Sequence, residues 1–329
     1  MTNTSRINYI DRLKGLAILL VVMGHVYGMA LDLTGNVAYR VIASFHMSLF
    51  MFLSGLVACS GIIAPYWNWR KMGRKVRGLL LPMLFFGLCF TMTFASDFCS
   101  GIIGFLESPN KNGYWYLMSL AVFYLSLSVF RLNVKKKWYI DVVLTIGTWG
   151  GYIVLWKLMA QRVDYFCLLN CGNFYLFFIL GAFCSKYRLT DLLKRQKWLI
   201  VVGIIGYIAL FGYTAHVHAV QSIVNHIVLP LCALLVIVPL FVNRESGNTL
   251  IERAFGYVGK HTLDIYVLHY FIITNLNVVN DWVHNFDNVS FVQFLTILLL
   301  SCLIVCLCIC AGLLLHRSRW IEKVVYGHF

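Results

Sequence analysis

Two ionisable side chains, eleven residues apart, are the first residues in this chain whose types and spacing could do chemistry. Lys14 and His25 both lie in the first long apolar stretch. At about 100° per residue, eleven residues make three helical turns plus about 20°, so a helix carries both on one face, roughly 16 Å apart. An ionisable group at membrane depth costs about 2.5–3.5 kcal/mol on insertion scales, which makes each one a functional candidate. Lys14 has two readings. It pairs with Asp11, three residues earlier on the same face, or it snorkels to the cytoplasmic headgroups while Asp11 caps the helix. His25 lies roughly 18 Å along a helix that begins near Leu13. A short imidazole there cannot reach cytoplasmic water and requires a cavity or a partner.

His46 lies about six residues, or ~9 Å, below Arg40 on the next apolar stretch, a depth similar to that of His25. Two imidazoles on consecutive helices could line one cavity; the alternative is two core histidines, each satisfied by a carbonyl or hydroxyl. Arg70, Arg74 and Arg77 follow an i, i+4, i+7 spacing, so a helix extended back to Arg70 presents three guanidiniums on one face. Guanidinium binds phosphate bidentately, although anionic lipid headgroups are adequate partners for any basic cytoplasmic loop. His269 would sit about ten Å inside the cytoplasmic edge of its span, either facing the interior that Lys14 faces or satisfied within the core. Asp264 shares its helix, and His226 lies at the external end of the preceding span. Tyr114, Trp115 and Tyr116 read most simply as an interfacial aromatic belt.

The elements that must position these residues are membrane helices. Of the 329 residues, 60% are hydrophobic and 12% charged, against about 45–50% and about 25% in soluble domains. The apolar residues fall in blocks close to the ~20 residues needed to cross hydrocarbon. Spans are expected at 13–32, 41–62, 78–96, 114–130, 139–157, 166–185, 198–215, 223–242, 262–279 and 290–315, an all-α polytopic bundle of about ten helices. Lys and Arg alternate from rich to poor loops along the chain, as the positive-inside rule requires. The rich loops hold 23 of the 27 basic residues; Arg40, Lys111, Lys157 and Arg162 fall on the other side. Both termini are therefore expected in the cytoplasm. The same sorting accounts for the net charge of +14 without a nucleic-acid partner. No cleavable signal peptide is expected, because the first apolar run is long and lacks a small-residue cleavage pattern. The loop 243–261 is expected to carry a short interfacial helix at Leu250–Val258. The eleven cysteines lie mostly inside spans with no metal-site spacing, so no metal is expected; a disulfide among Cys99, Cys167 and Cys171 is left open.

These residues also carry a resemblance. Asn8-Tyr-Ile-Asp-Arg-Leu-Lys14, then ten residues and His25, resembles the opening of the membrane acyltransferase-3 family. Phe45-His46-Met-Ser-Leu-Phe-Met-Phe-Leu-Ser54-Gly55 is similar to its second-helix signature, and Arg74-Lys-Val-Arg77 before Leu-Leu-Leu-Pro82 is similar to its RxxR element. Tyr114-Trp-Tyr-Leu117 and Thr262-Leu-Asp-Ile-Tyr266-Val-Leu-His269 resemble weaker family patterns. A single membrane domain over 1–329 is expected, in a bacterial inner membrane and without the extracytoplasmic hydrolase-like domain that many members of the family carry. The resemblance implies O-acyl transfer, usually acetyl, from cytoplasmic acyl-CoA to a hydroxyl of a cell-envelope carbohydrate or glycolipid. Arg74 and Arg77, with Arg70 and His269, would bind the coenzyme, and Lys14, beside Asp11, would orient donor charge. His25 would be the general base or, alternatively, carry the acyl group, with His46 lining the site. A neutral imidazole suits either role.

Two other readings stand beside this one. A proton-coupled secondary transporter would use buried histidines and a lysine as a relay, but no inverted repeat is visible and deep carboxylates are few. An enzyme of the same family acting on a small molecule, peptide or lipid headgroup would share all of these motifs.

Overall fold

The computed structural model describes residues 8–59, 69–129, 137–159, 163–213, 217–243, 249–276 and 290–327. Among these residues every regular element is helical and there is no strand, which is what hydrocarbon demands of a backbone that cannot hydrogen-bond to water. The helices are α1 (Asn8–His25), α2 (Val37–Cys59), α3 (Trp69–Phe94), α4 (Phe98–Glu107), α5 (Trp115–Val129), α6 (Trp138–Met159) and α7 (Leu168–Lys186). They continue with α8 (Leu189–Arg195), α9 (Trp198–Leu210), α10 (His218–Ile223), α11 (Leu229–Val242), α12 (Leu250–Lys260), α13 (Thr262–Ile273), α14 (Ser290–Leu315) and α15 (Arg319–Val324).

Each of the ten expected spans coincides with a helical segment. Among the described residues, seven segments are long and apolar enough to cross a membrane: Tyr9–Ala30, Val37–Cys59, Met72–Phe94, Trp138–Met159, Leu168–Lys186, Val220–Val242 and Phe291–Leu315. The three other expected spans are the shorter apolar helices α5, α9 and α13. The ends of the spans expected to reach 62, 130, 215 and 279 lie outside the described residues, as do Arg6, Arg131, Lys135, Lys136, Arg162 and Arg244.

The chain divides into two compact units, each discontinuous in sequence. The first holds residues up to Leu53 and Tyr187–Gly312. Its organising contact is α1 against α12. Helix α12 starts with a capping box in which Thr249 accepts the Glu252 amide and Glu252 accepts the Thr249 amide. The other carboxylate oxygen of Glu252 takes Arg12 Nη1 at 3.1 Å, tying the two helices together. Two glycines allow the helices to touch. A Cβ on Gly15 would strike the carbonyl of Phe255, and one on Gly259 would strike the carbonyl of Asp11. The short helix expected at Leu250–Val258 is thus present, but one of its faces is packed against α1. Further along, α1 packs on α13 and α11.

The second unit holds Ser54–Lys186 and the residues from Leu313 onward. Helix α3 packs on α4 and α5, and α7 packs on α5 and α6. Buried Lys186 on α7 pairs with buried Asp141 on α6, so one of the basic residues that mark the expected cytoplasmic side is an internal ion pair. The loop 108–113 has left-handed backbone at Lys111, Asn112 and Gly113. It is held by its own lysine: Lys111 is buried and its ammonium donates to the carbonyls of Leu106 and Asp164. Burial pushes the Lys111 ammonium below its usual range. Asp164 in turn accepts the amides of Leu168 and Leu169 at 2.8 and 3.0 Å, starting α7. At the other end, Tyr326 is buried between His316 and Phe86, and Gly327, with φ +68°, lies beside the Arg77–Gly78 peptide. All eleven cysteines are free thiols, with Cys99 exposed and Cys167 and Cys171 buried.

Two stability predictions follow from these contacts. Gly259→Ala should push α12 off α1 and cost about 1–3 kcal/mol, seen as a lower thermal midpoint in detergent, whereas Gly147→Ala, which meets nothing within 4 Å, should not. Lys111→Met should leave two buried carbonyls without their donor at about 1–3 kcal/mol each and open the 108–113 loop to protease.

Candidate functional site

His25 occupies the last residue of α1 before the helix widens into a π-helical turn, Val26–Ala30. Such turns are uncommon and concentrate at functional sites. Two other histidines in this unit show by contrast what is unusual about it. His46 and His269 each place Nδ1 2.9 Å from the carbonyl four residues earlier, Ile42 and Ile265. A carbonyl only accepts, so Nδ1 carries the proton and Nε2 keeps a lone pair in both. His25 makes no such bond among the described residues. Its Nε2 lies 2.9 Å from the hydroxyl of Tyr270 on α13.

The rings form one cluster. His25 and His269 have centroids 5.3 Å apart, His25 and Tyr270 5.0 Å, and His269 and Tyr270 4.1 Å. His269 is fully buried, and its Nε2 has no hydrogen-bond partner among the described residues. His46 approaches from α2, where its ring is among the nearest atoms to the Cα hydrogens of Gly24. His46 thus lies beside Gly24, the neighbour of His25 on α1, while the imidazole that touches the His25 ring is His269. His269, expected either to face the interior that Lys14 faces or to be satisfied within the core, sits against His25. Asp264 is buried one face away, with His261 Nδ1 3.5 Å from its carboxylate. His226 is exposed in the π-helical turn 224–228.

At the other end of α1, Lys14 is half-buried and Asp11 buried. Arg12, between them, pairs with Glu252 at 3.1 Å, a contact that sequence reasoning did not anticipate. Its partner Glu252 lies 240 residues away; the Thr249-x-x-Glu252 capping pattern was the available signal for that helix start.

In the second unit, α3 does extend back through Arg70, so Arg70, Arg74 and Arg77 stand on one helix within about 60° of one another. All three side chains are exposed, a face suited to a phosphorylated ligand. The aromatic trio differs from expectation. Tyr114 and Tyr116 are buried, and the Tyr116 hydroxyl lies 2.5 Å from Ser54 Oγ, so these are interior residues; Trp115 stacks on Phe174. Ser54 and Tyr116 belong to the second-helix and fourth-helix motifs, which meet through that bond.

A family model described as an acyltransferase domain matches residues 7–313. The chain belongs to the acyltransferase-3 family. It is a multi-pass membrane member, with its histidine cluster and its arginine face both inside the matched region. It is also 30% identical over 170 residues to the nodulation protein NolL of Sinorhizobium fredii, a match covering 48% of this chain and 46% of that protein. The chain thus covers about half the length of this relative. No solved structure matches.

The buried, unpartnered Nε2 of His269 yields a prediction. Replacing it with a ring of similar size, His269→Phe, removes an unsatisfied acceptor and should change the thermal midpoint by less than Gly259→Ala does. A larger drop would show that this nitrogen has a partner.

Proposed function

We propose that this protein is an O-acyltransferase of a bacterial inner membrane, with both termini in the cytoplasm, moving an acetyl group from cytoplasmic acetyl-CoA to a hydroxyl of a cell-envelope carbohydrate or glycolipid. Family membership across residues 7–313 carries this reading. The alternation of basic loops supports the orientation. The acceptor class rests on the family resemblance.

Each residue has a task in the reaction. Arg74 and Arg77, with Arg70, hold the phosphates of the coenzyme, which suits three exposed guanidiniums on adjacent helical turns. Lys14 orients donor charge, with Asp11 beside it. His25 takes the proton of the acceptor hydroxyl as that oxygen attacks the thioester carbonyl. The carbon–sulfur bond breaks, and the proton returns from the imidazole to the departing thiolate, giving ester and coenzyme A thiol. His46 lines the site. A general base of this kind contributes about 10²–10⁴-fold.

Purified protein supplied with acetyl-labelled acetyl-CoA and a panel of envelope glycans tests this. Wild type should label an acceptor, and His25→Ala should lose about 10²–10⁴-fold in kcat. Absence of acceptor labelling by wild type across carbohydrates, with labelling of lipid headgroups or peptides instead, would move the acceptor class. Arg74→Ala with Arg77→Ala should raise KM for acetyl-CoA by roughly tenfold or more, the loss expected for charged hydrogen bonds to phosphate, with kcat at saturation little changed. Unchanged KM would return these arginines to a purely topological role.

A further inference from the structure

We infer that Tyr270 is the positioning residue for His25, and that it does so by accepting the Nε2 proton, which makes Nδ1 the nitrogen that works on the substrate. This rests on the acyl-transfer reading and assigns a part of the site that the reading leaves open.

His46 and His269 are oriented by their own helices: each ring is pinned through Nδ1 to the carbonyl one turn back. Such a histidine needs no outside help to hold its tautomer. His25 stands where α1 passes into the π-helical turn, and among the described residues its hydrogen bond is to Tyr270, 245 positions away in sequence. Ring orientation at His25 is therefore decided by tertiary structure. The rings of His269 and Tyr270, tilted 40° to each other, restrict it further, with His269 at 5.3 Å and Tyr270 at 5.0 Å from the His25 centroid. A base needs a third group that fixes it and favours its protonated form.

A bond from Nε2–H to the tyrosine oxygen does both. It leaves the lone pair on Nδ1, and it strengthens as Nδ1 gains the acceptor's proton, because a charged donor makes the stronger bond. The contribution is larger in the transition state than before it, which is the condition for raising kcat. The proton balance of the transfer is unchanged: Nδ1 takes the hydroxyl proton and gives it to the leaving thiolate, while the Nε2 proton never leaves the ring. In the opposite polarity, with the tyrosine donating to Nε2, Nδ1 would carry the proton and could not act as base.

Two measurements test this. In the transfer assay, Tyr270→Phe keeps the ring and removes the hydroxyl; kcat should fall roughly tenfold to a hundredfold, a part of the about 10²–10⁴ available to the base, with KM for acetyl-CoA unchanged. His25→Gln run beside it separates the two readings. Loss in His25→Gln with full activity in Tyr270→Phe overturns the role of Tyr270 alone, whereas full activity in both overturns the base assignment on which it rests. A raised KM at unchanged kcat would make Tyr270 a binding residue and also overturn the inference. Nitrogen-15 NMR of histidine-labelled protein needs no turnover. The His25 signals, identified by their loss in His25→Gln, should show a protonated Nε2 and a bare Nδ1 in wild type, and a mixture of tautomers in Tyr270→Phe. A protonated Nδ1 in wild type overturns the proposal.

Discussion

Hydrocarbon offers no hydrogen bonds, and that constraint orders this protein from backbone to side chain. It makes every described element a helix, and it then acts on each polar side chain that the helices carry inward. Several are satisfied at short range. Thr91, Thr148, Ser126 and Ser128 donate to carbonyls of their own helices, as His46 and His269 do through Nδ1. Others find a partner across helices, as in Lys186 with Asp141, Arg12 with Glu252 and Ser54 with Tyr116. Against that background, a histidine at the start of a π-helical turn that depends on a tyrosine from another helix stands apart.

Within the first unit, the contacts form a chain of dependence. The capping box at Thr249 uses one carboxylate oxygen of Glu252 and leaves the other for Arg12. That ion pair sits beside two glycine contacts, so α12 lies directly on α1 with no side chain between the backbones. The face of α1 presented to α13 is fixed by the same docking, and α13 carries both His269 and Tyr270. A small change at Gly259 is thus expected to be felt through α1 as a rigid body.

The acyltransferase-3 motifs mark pieces that the fold pairs within each unit. Gly24 of the first motif lies beside His46 of the second, His25 meets His269 of the ninth-helix pattern, and Ser54 of the second meets Tyr116 of the fourth. The interior position of Tyr114 and Tyr116 was hidden because an aromatic run at a span end has the same composition whether it faces headgroups or protein. Lys111 was equally hidden. The alternation of loops placed it on the external side, and nothing in the loop's composition showed that its ammonium is enclosed by two carbonyls.

The sequence by itself determined the helical class, the placement of the ten apolar segments, the identity of the family and the shared face of Lys14 and His25. Those follow from transfer free energies and helical period, which act locally and sum along the chain. The tertiary structure alone decided that His269 lies against His25, that Arg12 has a carboxylate 240 residues away, and that the Tyr270 hydroxyl comes within hydrogen-bonding distance of His25 Nε2. Hydrogen bonds are short and directional, so a partner is fixed by which faces are brought within about 3 Å. No periodicity along one chain contains that distance.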